Sequence, residues 1–127
     1  MNALLVVAHG SRRQQSNDEV SVITDKLRAS CHDDYTIVHS GFLELATPSI
    51  PDGIEQCINN GATRITVLPY FLNSGRHVVD DVPEIVDTVS KQHPDVEIVI
   101  APHLGASPLM VDLLIDSAKS VSSSHIA

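Results

Sequence analysis

Four short apolar runs, rich in β-branched residues and separated by segments of helical periodicity, constrain this chain more than any other feature. They are Ala3–Ala8 (ALLVVA), Thr36–Val38 extending toward Phe42, Arg64–Leu68 (RITVL) and Val96–Ala101 (VEIVIA). The first and last are almost continuously apolar, the pattern of strands covered on both faces. Four stripes at helical spacing follow them in turn: Val20, Ile23, Leu27 and Cys31; Ile50, Ile54 and Ile58; Val82, Ile85, Val86 and Val89; Met110, Leu113, Leu114 and Val121. Each stripe would give a helix one apolar face.

The punctuation supports this division. Ser16 followed by Glu19 fits a capping box. Thr47-Pro48 and Ser107-Pro108 each place a hydroxyl before a first-turn proline, and Gly61 suits a helix end. Asp81 and Pro83 place a helix start near Val82, after a preliminary turn. The order is therefore βαβαβαβα. Right-handed crossovers convert that order into a parallel four-stranded sheet flanked by helices, an α/β fold. A chain of 127 residues suits one domain spanning 1–127, with the serine-rich segment 122–127 expected to fray.

Composition excludes several classes of function. A net charge of −8 provides no basic stripe for nucleic acid. No apolar run is long enough to cross a membrane, and Ala3–Ala8 is short and lacks a preceding basic segment, so a soluble cytoplasmic protein is expected. Cys31 and Cys57 have no metal-binding spacing and read as reduced structural thiols.

In parallel α/β sheets, ligands bind beyond the carboxyl ends of the strands. The loops there are His9–Gln15, Ser40–Thr47, Pro69–Asp81 and Pro102–Ser107. They gather His9, Ser11, Arg12, Arg13, Glu44, Asn73, Ser74, Gly75, Arg76, His77 and His103. Three of the chain's eight basic residues lie at this edge despite the acidic balance. No dinucleotide fingerprint, Walker A loop or nucleophile elbow is present. Taken alone, His9 could cap backbone groups and His77 could be an exposed first-turn residue. Taken as a pair, they leave two strands in the same way, and imidazole suits Fe, Co, Ni, Cu and Zn. Glu44 could supply an oxygen ligand or accept a proton. His39 and His103 read as structural.

The motifs AHGSRR, FLELATPSI, VLPYFLNSGRHVVDDVP and APHLGASP occur in order along the chain. They resemble the short CbiX/SirB-type sirohydrochlorin chelatases, class II chelatases of tetrapyrrole pathways. That resemblance implies a flavodoxin-like, chelatase-type half-domain. It implies insertion of Co2+, Fe2+ or Ni2+ into sirohydrochlorin, with Co2+ favoured and with no cofactor beyond the metal substrate. It assigns His9 and His77 to metal binding and proton acceptance, and it places Glu44 beside them. Gly10, Ser11, Arg12, Glu44, Leu72, Asn73, Ser74, Gly75 and Arg76 would receive the macrocycle. A homodimer is expected, with neither nucleic acid nor membrane as partner. The alternatives are a non-catalytic carrier of tetrapyrrole or metal, and a histidine-dependent phosphoryl-transfer enzyme.

Overall fold

The computed structural model describes residues 1–121, so the segment expected to fray lies outside the described residues. Strands β1 (Asn2–Ala8), β2 (Ile37–Phe42), β3 (Arg64–Pro69) and β4 (Glu97–Ile100) alternate with helices α1 (Gln14–Ser30), α2 (Ile50–Asn59), α3 (Val82–Gln92) and α4 (Met110–Lys119). The sheet is parallel, in the order β2-β1-β3-β4. Because β1 runs on to β2 on one side while β3 joins on the other, the strand order reverses at the β1–β3 junction. That junction is the topological switch point, where a crevice opens beyond the strand ends.

The two sides of the sheet are packed differently. On one side, Ala3, Leu5 and Val7 of β1 and Ile65 and Val67 of β3 meet Ile50, Ile54 and Cys57 of α2 and Val82, Val86 and Val89 of α3. Ile54 is fully buried there, and burial of such a side chain contributes about 1.5–3 kcal/mol. The same packing pushes the Cys57 thiol up to about 11, so its ionised form is disfavoured. On the other side, Val6, Ala8 and Phe42 pack with Val20 of α1 in a smaller cluster.

Three local expectations are corrected. Ser16 does not cap α1, which begins before it at Gln14. Instead Asn17 clamps the preceding loop: Ser11 N–H donates to its Oδ1 at 2.9 Å, and its Nδ2 donates to the Ser11 carbonyl at 2.8 Å. Those two bonds satisfy backbone groups of the turn itself, which a capping box would not reach. Thr47 does not cap α2 either; Ser49 does, accepting from Asp52 N–H at 3.2 Å. The apolar stripe of α4 is formed but not buried, because the helix packs chiefly on the short turn Leu104–Ala106. Leu109, Val111, Leu113, Leu114 and Ile115 remain 47–70% exposed. Gly61, with φ 102°, follows α2 as expected, and Leu109 N–H does bond the Ser107 hydroxyl at 3.2 Å.

Candidate functional site

The site is built from three loops at the carboxyl edge of β1, β2 and β3. Register pairs Val7 with Pro69, and Tyr70 N–H bonds the Val7 carbonyl at 2.8 Å, so the two histidine-bearing loops leave the sheet side by side. The chain then turns back at Gly75, whose carbonyl accepts from Val78 and Val79 N–H at 3.0 and 3.1 Å. A single wide turn, His77–Asp81, leads into α3; Val82 N–H reaches back five residues to the His77 carbonyl. Val82 is fully buried and anchors that turn to the core. This is the preliminary turn that Asp81 and Pro83 mark in the sequence.

These constraints bring the His9 and His77 rings together, with centroids 4.5 Å apart and planes at 77°. Each ring has its own carboxylate. His9 Nε2 lies 2.9 Å from Glu44 Oε1, and His77 Nδ1 lies 2.6 Å from Asp81 Oδ2. Glu44 is held near His9 by its backbone, since Leu43 N–H bonds the Ala8 carbonyl at 3.0 Å and Glu44 N–H bonds the His9 carbonyl at 3.1 Å. Gly10 serves this junction: a Cβ there would stand 1.7 Å from the Glu44 carbonyl oxygen. Its missing side chain therefore makes room for a neighbouring loop.

His77, Asp81 and Glu44, with Leu43, Glu84 and Ile85, line a hollow of about 340 Å³. Its acidic lining favours a cation. The surrounding edge has the opposite character. Arg28, Arg64 and Lys91 form ion pairs with carboxylates, whereas Arg12, Arg13 and Arg76 have no carboxylate partner among the described residues. Leu72, Asn73, Ser74, Gly75 and Arg76 are exposed. Gly105 N–H holds this loop from behind through the Phe71 carbonyl at 3.0 Å. His39 is turned to Asn60 Oδ1 at 2.7 Å, outside the site. Among the described residues no three histidine, cysteine or carboxylate groups converge as a metal cage. A cation on the histidine pair would retain open coordination positions.

Asp81 is the site residue that sequence reasoning missed. Its four-residue spacing from His77 was available, but Asp81 also reads as a helix-start residue, and only the wide turn aims it at the ring.

The fold and the paired imidazoles at its switch point define the class: a flavodoxin-like α/β protein with a histidine–carboxylate site at the carboxyl edge. The chain belongs to the CbiX family, whose model matches residues 3–121. It is 35% identical to sirohydrochlorin ferrochelatase of Priestia megaterium, covering 91% of this chain and 43% of that protein. It is 30% identical to sirohydrochlorin cobaltochelatase of Methanocaldococcus jannaschii, covering 93% of this chain and 98% of that protein. SirB from Bacillus subtilis, solved with Fe3+, superposes with a TM-score of 0.83 at 31% identity, covering 94% of this chain and 46% of that one. The chain thus spans about half the length of some relatives and nearly all of others.

Proposed function

We propose that this chain is a sirohydrochlorin chelatase, inserting a divalent metal into the macrocycle as a homodimer in the cytoplasm, with no cofactor beyond the metal substrate. Co2+ is the favoured ion, with Fe2+ and Ni2+ as alternatives. The observation that carries the reading is the contact between the two imidazoles, each backed by a carboxylate, with His77 and both carboxylates lining an acidic hollow.

Insertion requires a metal that sheds its water ligands stepwise and a base for the protons leaving the pyrrole nitrogens. Neutral imidazoles bind Co2+, Fe2+ and Ni2+ and accept protons near neutral pH. Two imidazole donors do not saturate such an ion, so pyrrole nitrogens can replace its remaining ligands. Glu44 is exposed and can pass protons from His9 to water. The substrate is a polycarboxylate, and Arg12, Arg13 and Arg76, which have no carboxylate partner among the described residues, suit it by charge and donor geometry. The exposed backbone of Leu72–Arg76 offers further donors, and the N-terminus of α1 faces the same edge.

Dimerisation is supported by the uncovered apolar face of α4, which a second copy could cover. Leu114→Asp should then shift the sedimenting species to monomer; an unchanged dimer would remove α4 from the interface.

The test of function is the visible-absorbance course of sirohydrochlorin with enzyme and Co2+, anaerobic Fe2+ or Ni2+, each against an enzyme-free control. Accelerated insertion over many turnovers is expected. His9→Ala and His77→Ala should each slow it by at least about 100-fold with the fold intact. A stoichiometric spectral shift without turnover would instead identify a carrier.

A further inference from the structure

We infer that Asp81 is the positioning residue of the site, holding the His77 ring so that Nε2 is the nitrogen presented to the metal. The inference rests on the metal-handling reading above and adds to it a residue and an atom.

The argument begins with hydrogen-bond chemistry. An ionised carboxylate can only accept, so at the 2.6 Å contact the hydrogen lies on His77 Nδ1. In the neutral ring, the lone pair available to a metal or a proton is then on Nε2. His9 has the reverse arrangement: its Nε2 donates to Glu44 at 2.9 Å, leaving Nδ1 bare. The two rings therefore offer different nitrogens, and each choice is set by its carboxylate partner.

The two carboxylates are not held alike. Asp81 sits on the same turn as His77, four residues along, and directly precedes the fully buried Val82. The bond from Val82 N–H to the His77 carbonyl closes that turn, so donor and acceptor are carried by one short, anchored piece of backbone. Glu44 reaches His9 from another loop, just before Leu45 at φ 63°, and its side chain is 56% exposed against 37% for Asp81. Asp81 is built to stay, and Glu44 has freedom to leave. A fixed outer carboxylate orients a ligating imidazole and raises its basicity; losing one typically costs 10–100-fold in metal affinity or activity.

The test uses the full chain, free of metal, with ¹⁵N-labelled histidine at mildly alkaline pH, where a free imidazole is neutral. Long-range ¹H–¹⁵N spectra distinguish a protonated ring nitrogen from a bare one. The wild type should show His77 with Nδ1 protonated. Asp81→Ala should lose that preference, while Asp81→Asn, whose amide oxygen can still accept, should retain it. Co2+ titration of the same samples should show binding about 10–100-fold weaker in Asp81→Ala, with Asp81→Asn nearer the wild type. Two results would overturn the inference and leave the metal reading standing: an unchanged His77 tautomer in Asp81→Ala, or wild-type Co2+ affinity despite a changed tautomer. Failure of the wild type to bind Co2+ would instead overturn the metal reading, and this inference with it.

Discussion

The loops carrying His9 and His77 deliver their rings to one point by opposite constructions. The His9 loop is short and tied from two directions. Asn17 brackets Ser11 through both its side-chain oxygen and nitrogen, and the Glu44 carbonyl lies where a Gly10 side chain would be. The loop before His77 is long and, over Leu72–Arg76, exposed. It leans on Gly105, where a Cβ would stand 1.7 Å from the Leu72 carbonyl oxygen, while a Cβ at Gly75 would meet nothing within 4 Å. The difference separates two tasks. A clamped loop fixes the position of one imidazole, and an open loop leaves its backbone and Arg76 exposed.

Gly10→Ala should break the rigid side most severely. The added methyl group collides with Glu44 backbone at φ 93°, a conformation that disfavours any side chain. Loss of about 2–4 kcal/mol in urea unfolding is expected, together with loss of metal insertion. Near-normal stability would mean the two loops can separate without cost. Gly105→Ala should act on the open side: the methyl group displaces Leu72, so KM for the macrocycle should rise several-fold more than kcat falls. A pure kcat defect would show that Gly105 does not support substrate binding.

Asn17→Ala sharpens the comparison by removing the clamp while leaving every proposed ligand in place. It strands the Ser11 backbone groups and should cost about 1–3 kcal/mol, read from urea unfolding. If stability is unchanged, solvent satisfies those groups equally well and the loop is less constrained than its hydrogen bonds imply. Gly75→Ala should have the smallest effect, within about 0.5 kcal/mol and with turnover preserved. A large loss there would reveal that a ligand, and not the protein, occupies the space beside Gly75.

Much of this was legible in the residue order. The β-branched runs and helical stripes place every strand and helix, and AHGSRR and NSGRH mark both histidine loops. Local caps were less legible. Ser16 has the right neighbours for a capping box, yet the first turn belongs to Asn17, whose side chain reaches back six residues. Thr47 likewise yields to Ser49. At α2 several polar residues compete to cap and the path of the preceding loop selects Ser49, whereas the first residue of α1 is preceded by Arg13, which makes no side-chain cap bond. The α4 stripe marks a helix, but periodicity does not say whether a partner surface exists within the same chain.

By itself the sequence determined the alternation of strands and helices, because that alternation follows from side-chain periodicity within short windows. It also determined that His9, His77 and three arginines lie at one edge, because every strand-to-helix loop of a parallel sheet does. Only the tertiary structure decided that β1 lies beside β3, that the two imidazoles touch, and that Asp81 and Glu44 take opposite ring nitrogens. Those contacts join residues distant along the chain, or depend on the turn of a few backbone angles, and no local pattern encodes either.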